Sequence, residues 1–476
     1  MPAVLLSAFA AIYAFISVQK HNHFQSFAWD LGFFDQLIWK ISQNLTPLSS
    51  LGNLHILGDH FQPVVYVFAP LYWFYNDVRI LLVFHAIIAV LGAYPIYLLS
   101  RKILKNRTLS LAVVFNFLLY TGFQHAVLDG FHQSVVSVFI IGWVFYSLET
   151  KRYRFYWFGI LLLLLVKEEY GLLVSFIGLV VATFYRQKQV GLITFVLGIL
   201  FFFAAIYFFI PFFQKGPYTH FGYGILGQTP GEVLKNIVLK PYVFIPLLVL
   251  PPVKLNTVLS MFISFGFLPL LAPLHLLPVI QQLVVRFIDT VTQHRWVNTN
   301  HYVFPLVPLL SIASIYSVRK IQKKFPHNST LALYIFVWAL GQNLFYHGPL
   351  NSIFKRQFYA NYMWETNASE LLTHIPPTAI VASQNSLLPH LSHRSKFYLF
   401  PEIGDAQYIA ADLHDGPNKY SPVTYTQTKT LINSLLDKHL YTVIWRKGES
   451  ILLKRNLGEE LKIVMMTADN SILNAR

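Results

Sequence analysis

The chain has 476 residues, of which 55% are hydrophobic, 16% aromatic and only 12% charged, and its mean hydropathy is +0.50. This composition excludes an ordinary soluble globular protein and requires solvation by lipid. The formal charge of +15 does not indicate a nucleic-acid partner, because the basic residues sit in short clusters between apolar runs and so report membrane topology. The absence of cysteine excludes disulfides, thiolate metal sites and a cysteine nucleophile.

The apolar runs are continuous, which excludes an outer-membrane barrel, and several approach the roughly 20 residues that a helix needs to cross a hydrocarbon core. Residues 3–19 (AVLLSAFAAIYAFISVQ) have neither a basic leader nor a small-residue cleavage site, and read as an uncleaved first span. Further spans are predicted at 79–100, 108–127, 132–148, 154–166, 170–185, 189–211, 254–271, 273–288, 302–318 and 329–346. The expected fold class is therefore an α-helical integral membrane bundle of about eleven spans. Seven prolines between Pro241 and Pro278 interrupt any simple helix there, so the number of crossings in 212–288 can change by two.

Four basic loops stand out: Arg101, Lys102, Lys105 and Arg107; Lys151, Arg152 and Arg154; Arg186 and Lys188; and Arg319, Lys320, Lys323 and Lys324. The positive-inside rule places them in the cytoplasm. A multi-pass protein of the cytoplasmic membrane follows, with its N-terminus inside, hairpin tips facing outward and its C-terminal region outside.

Two large parts do not span: an external loop at 20–78, which belongs with the 1–346 transmembrane domain, and a C-terminal region at 347–476. In the loop, DLGFFDQLIWKISQN reads as an amphipathic helix with Asp30 at or near its N-cap. Leu31, Phe34, Leu37, Ile38 and Ile41 form an apolar face suited to the membrane surface. Residues 63–75 are apolar but too short to span. The C-terminal region alternates β-like runs (AIVAS, KFYLF, QYIAADL, YTVIW, SILLKR) with helical stretches near 365–374 and 424–438, as expected of a small external α/β domain. It carries no glycine-rich phosphate fingerprint.

With this topology the notable polar residues share the outer side: Asp30, Asp35, Asp59 and His60 in the first loop; His125, Asp129 and His132 at the next tip; Lys167, Glu168 and Glu169 at the third; and His294, Arg295 and His301 before a later span. Several interrupt apolar sequence, as functional intramembrane residues do. The hairpin RFYWFGILLLLLVKEEYGLLVSFIGLVVATFYRQK has limbs of only about 13 to 16 residues, roughly 20 to 24 Å. Its Lys167-Glu168-Glu169 apex therefore falls below the outer surface and needs partners or a watered cavity; a structural Lys–Glu lock between the limbs is the alternative. Asp30 and Asp35 are five apart, roughly 140° around a helix, so they do not form one dyad. Asp30 is the stronger catalytic candidate, against a plain N-cap, and Asp35 is expected to hydrogen-bond within the loop. Asp59-His60 pairs a carboxylate with an imidazole, usable for base chemistry, metal ligation or phosphate binding. Asp129 and His132 either share a face or act as an N-cap beside a solvated histidine. His301 can meet a lipid phosphate, while Tyr302 reads as an interfacial anchor.

At WDLGFFDQLIW, LGDHFQPVVYVFAPLYW, LDGFHQ, LLLLVKEEYGLL, FGFLPLLAP, NHYVFPLVP and LLPHLSHR, the chain resembles the prokaryotic membrane-protein family called domain of unknown function 2079, in order from residue 29 to about 412. That family looks like a relative of the GT-C glycosyltransferases, which take a sugar from a polyprenyl-phosphate donor at the outer face. The resemblance implies a lipid-linked sugar donor, surrounding membrane lipid and an external glycan or protein acceptor as partners, and no nucleic acid. It places Asp30 where the superfamily's first-loop acid acts as general base or metal ligand, with Asp59 and His60 assisting. Lys167, Arg295 and His301 fall to the donor phosphate, with Asp35, Asp129, His132, Glu168 and Glu169 in support. A divalent metal is the one cofactor the resemblance suggests; the superfamily's acidic pair is replaced here by Asp30-Leu31, which assigns no second carboxylate. The same intramembrane charges also suit a transporter or flippase of lipid-linked solutes, and the C-terminal region suits a non-catalytic assembly protein.

Overall fold

A computed structural model describes residues 2–414 and 421–456. The last part of the expected C-terminal region, 457–476, lies outside the described residues.

Every segment expected to span contains helix, but length and composition alone support fewer crossings than eleven. Four helices are long and apolar enough to cross a membrane: Pro2–Asn22, Arg79–Leu104, Lys188–Gln214 and His301–Lys324. Two bent pairs, Arg107–Leu119 with Thr121–Val127 and Pro241–Val249 with Val253–Ser264, raise the number to six. Shorter apolar helices at Gln133–Glu149, Tyr153–Leu164, Tyr170–Thr183 and Pro273–Ile288 occupy other expected spans. As the prolines require, the stretch after 210 is broken into short helices, among them Pro230–Leu239 and Pro241–Val249.

Close helix packing is built on small residues, the usual device where lipid provides no hydrophobic drive between helices. Tyr170–Thr183 and Lys188–Ala204 meet at Gly171 and Gly178 on one side and Gly191 and Gly198 on the other. A Cβ at Gly178 would lie 2.6 Å from the Phe195 backbone nitrogen and 2.7 Å from the Gly191 carbonyl oxygen. The Ser175 hydroxyl donates across the seam to the Phe195 carbonyl at 3.0 Å.

The C-terminal sheet forms where alternation predicts it. Strands β1 (Val381–Ser383), β2 (Phe397–Leu399), β3 (Tyr408–Asp412), β4 (Tyr441–Lys447) and β5 (Ser450–Arg455) lie in the order β2-β1-β3-β5-β4. β1 is parallel to β2 and β3, and β5 is antiparallel to β3 and β4. Side chains alternate between faces. Val381, Ala410 and Leu452 pack toward Leu371 and the first loop, whereas Ala382, Ile409, Ala411 and Leu453 pack against Ile432 and Leu435 of helix Tyr425–Asp437.

The first loop departs from expectation in two ways. Helix Phe33–Ser42 has Gly32 as its N-cap, so Asp30 lies near the N-cap, two residues upstream, but in a turn with φ 72° and ψ −93°. Second, the apolar face is not free for the membrane surface. Leu31, Phe34, Leu37 and Ile38 are buried in a core shared with Val65, Phe68, Phe131 and the C-terminal residues Leu388, Leu391 and Phe397, while Ile41 packs at its edge. The amphipathic pattern was the same; the apolar partner is the C-terminal sheet.

Candidate functional site

Five helical segments run from one common end to the basic clusters at the other. Gln133–Glu149, Tyr170–Thr183 and His301–Lys324 begin at His132, Glu169 and His301 and end beside Lys151, Arg186 and Lys324. Tyr153–Leu164 runs from Arg152 toward Lys167, and the bent pair from Arg107 toward Asp129. The hairpin limbs have 12 and 14 residues, so they rise only about 18 and 21 Å. The non-basic ends surround a cavity of about 670 Å³.

Of the eleven residues to which the resemblance gives a role, Asp30, Asp59, His60, Asp129, His132, Lys167, Glu169 and His301 line this cavity, as does His294. Asp35, Glu168 and Arg295 stand behind the wall. Asp35 is fully buried and binds Tyr72, Ser392 and His393, so its partners include the expected loop contact and two residues of the C-terminal region.

Asp30 is held by a turn in which the Gly32 amide donates to the Phe27 carbonyl at 3.2 Å. This positive-φ conformation is costly for a residue with a side chain and is retained where the surroundings enforce it. Its carboxylate lies 3.0 Å from Nε2 of His132, and the His132 ring stacks on His301 with centroids 3.3 Å apart. Gly130 (φ 101°) lets the tip pass beneath this turn: its Cβ position is 3.6 Å from Leu31 and 4.0 Å from Asp30. His132 is thus buried rather than solvated, and it stands itself at the N-cap position of the following helical turn.

A second group centres on the hairpin apex. Glu168, 1% exposed in its side chain, accepts from His60 Nδ1 at 2.7 Å, the Phe61 amide at 3.1 Å and the Tyr218 hydroxyl at 3.1 Å. The Val64 amide reaches the Leu165 carbonyl at 3.0 Å. The first loop is therefore sewn onto the apex. Asp59 meets Nε2 of His220 at 2.8 Å, and His220 stacks on His60. His220 was missed in the sequence, where it sits in an unpatterned loop between broken helices. Burial resists ionisation of Asp59, but His60, His220 and Lys167 outweigh it and hold its carboxyl below the usual range. Burial, reinforced by Lys167 and His220, pushes the His60 imidazole well below its usual value.

The apex is not a Lys–Glu lock between its own limbs. Glu169 pairs with Arg295 at 2.8 Å, and Arg295 also pairs with Asp289 at 3.0 Å. Arg295 is already neutralised by two carboxylates. Among the described residues Lys167 has no carboxylate within ion-pairing distance, and it faces the cavity. Lys167, Arg286 and Arg295 all lie within 6 Å of the Tyr302 ring centre, at 5.7, 5.9 and 4.9 Å. Tyr302 is thus part of the cavity wall and not an interfacial anchor.

Two sets of side chains have the donors for a divalent cation: Asp30, His132 and His301, and Asp59, His60 and His220. Within each set the ligand atoms lie within 4.8 Å of one another. One carboxylate with two imidazoles fits zinc, manganese or iron. In the second set Glu168 occupies His60 Nδ1 and leaves Nε2 as the ligand nitrogen, the outer-sphere arrangement common to metal-binding histidines.

No curated protein matches the chain. Among solved structures, ArnT from Cupriavidus metallidurans bound to undecaprenyl phosphate superposes with a TM-score of 0.55 at 12% identity, over 96% of this chain and 98% of that one. The apo state of ArnT gives 0.55 at 11%, over 95% and 97%. At such identity the likeness is one of fold, and it agrees with the resemblance to GT-C glycosyltransferases. The family model described as "Predicted membrane protein (DUF2079)" matches residues 20–437, and the chain belongs to that family of integral membrane proteins.

Proposed function

We propose that this protein is a GT-C-like glycosyltransferase that takes a sugar from a polyprenyl-phosphate donor at the external face of the cytoplasmic membrane and passes it to an external glycan or protein. The observation that carries the reading is one cavity lined by Asp30, Asp59 and Lys167, which combines carboxylates and a cation. The ArnT-like fold supports it, since that relative is described with undecaprenyl phosphate bound. The placement of basic clusters at the helix ends opposite the cavity supports an external site with the N-terminus inside. About eleven crossings, a 1–346 transmembrane domain and an external 347–476 domain complete the reading.

Asp30 acts as general base on the acceptor hydroxyl. As the acceptor oxygen bonds to the anomeric carbon, its proton passes to Asp30, and the bond from that carbon to the phosphate oxygen breaks. Polyprenyl phosphate leaves with the bonding pair. Lys167 faces the charge that develops on it, in a site where a fixed cation acts with little screening. His301 lies beside it, Asp59 and His60 border the acceptor side, and Arg295 holds Glu169 and Asp289 so that Lys167 remains free for the phosphate. A divalent cation on either Asp-His-His set would add charge stabilisation for the phosphate. His132 orients Asp30; Asp35 and Glu168 fix the loop, and Asp129 forms part of the wall.

The test is incubation of purified protein with polyprenyl-phosphate sugars carrying a labelled sugar. Transfer with stoichiometric release of polyprenyl phosphate supports the proposal. Passage of intact donor across proteoliposomes without cleavage would instead favour the flippase reading.

A further inference from the structure

Among the described residues, the charged side chains of the cavity come from the first 301 positions, yet the turn carrying Asp30 is gripped by the connection between β1 and β2. The amide of Ala28 donates to Asn385, at its backbone oxygen and at Oδ1, both at 2.9 Å; Ala28 and Asn385 are both fully buried. Gly32, at the other end of the turn, packs on Pro389, with its Cβ position 3.7 Å from the Pro389 Cα. Just downstream, Asp35 is held by Ser392 and His393, and Gln36 donates to the Arg394 carbonyl at 3.1 Å. Just upstream, His21 stacks on His390 at 3.9 Å and bonds Ser26 at 2.8 Å. One short connection therefore holds the chain on both sides of a residue with φ 72° and ψ −93°.

We propose that this 384–396 connection is a clamp that positions Asp30 for the reaction, with Asn385 as its central positioning residue. The inference rests on the glycosyl-transfer reading for its catalytic consequence, and on contacts alone for the clamp. A non-glycine residue does not stay in this backbone region unless neighbouring contacts leave it no alternative. Within the short π-like turn the Gly32 amide bonds the Phe27 carbonyl and the Phe33 amide bonds back to the Ala28 and Asp30 carbonyls. Asn385 supplies a fixed point from outside the turn, where its buried backbone and side-chain oxygens accept from the Ala28 amide, two residues before Asp30. The role given to the C-terminal sheet is then part of the active site rather than recruitment of another protein.

The experiment compares the full chain in lipid nanodiscs with Asn385→Ala and Asn385→Asp. Amide hydrogen exchange over 27–36 and steady-state transfer from a polyprenyl-phosphate sugar are measured together. Losing one buried hydrogen bond should speed exchange at Ala28–Gly32 about tenfold. kcat should fall at least tenfold while KM for the donor stays within about twofold, since Lys167 is untouched. Asn385→Asp keeps the acceptor oxygen and should restore both. Unchanged exchange in Asn385→Ala overturns the clamp, as does full kcat despite faster exchange. Faster exchange in Asn385→Ala beside a wild type that transfers no sugar supports the clamp and sinks only the glycosyl-transfer reading. If Asn385→Ala does not fold, His393→Gln at the clamp's edge serves for the same comparison.

Discussion

Replacing Lys167 by methionine removes one charge while keeping a chain of similar length. In the folded protein this ammonium faces the cavity with no carboxylate at ion-pairing distance among the described residues. A phosphate about 4 Å from it, at an effective dielectric near 20, would gain roughly 4 kcal/mol. Part of that is offset by lost solvation, and truncating one member of a desolvated charge pair costs about 2 to 5 kcal/mol in measured interfaces. A loss of about 2 to 4 kcal/mol corresponds to binding of undecaprenyl phosphate weakened by about 30- to 1,000-fold. Titration of the lipid into nanodisc-embedded protein, followed by native mass spectrometry, measures the change. Lys167→Arg should retain most of the affinity. By contrast, Arg295→Met should chiefly destabilise the fold, because Asp289 and Glu169 then lose their partner. Unchanged lipid affinity in a folded Lys167→Met protein would refute the assignment of this cation to the phosphate.

Gly178→Leu should lower the thermal midpoint by several degrees, since its side chain has to displace the Phe195 and Gly191 backbone; an unchanged midpoint would show that the two helices separate freely. For His60, whose folded value is depressed, the unfolded chain takes up a proton near pH 6.5 that the folded site refuses. Its contribution to stability is present above about pH 6.5 and is lost as pH falls from there toward the folded value, so the midpoint should drop between pH 7.5 and 5.5, and less in His60→Gln. Equal pH slopes for the two proteins would contradict the shift. Metal analysis after incubation with Zn²⁺ or Mn²⁺ should find a bound ion that is reduced in His220→Ala; wild-type protein free of both metals after incubation would eliminate these ligand sets.

The C-terminal strands were legible because short β-like runs alternate with helical stretches there: AIVAS, KFYLF, QYIAADL, YTVIW and SILLKR each fall on one strand. The polar cluster was legible because Lys167-Glu168-Glu169 interrupts an apolar run too short to carry it to the surface. What the sequence did not reveal was pairing over long separations. Nothing local in LLPHLSHR indicates that Ser392 and His393 meet Asp35, 357 and 358 positions away. The apolar face of Phe33–Ser42 has the same pattern whether it meets lipid or Leu391 and Phe397. The positive φ of Asp30 was hidden for a related reason, since its local sequence favours a helix start and distant contacts impose the turn. Arg295 read as a free cation because Asp289 and Glu169 become its neighbours only in the fold.

The central claim is that Asp30 removes the acceptor proton within a cavity shared with Lys167. Single-turnover transfer from a labelled polyprenyl-phosphate sugar, comparing wild type with Asp30→Asn at saturating donor, tests it most directly. The account predicts a rate lower by about 10²- to 10⁴-fold, with donor affinity unchanged. Transfer by Asp30→Asn at the wild-type rate would contradict it.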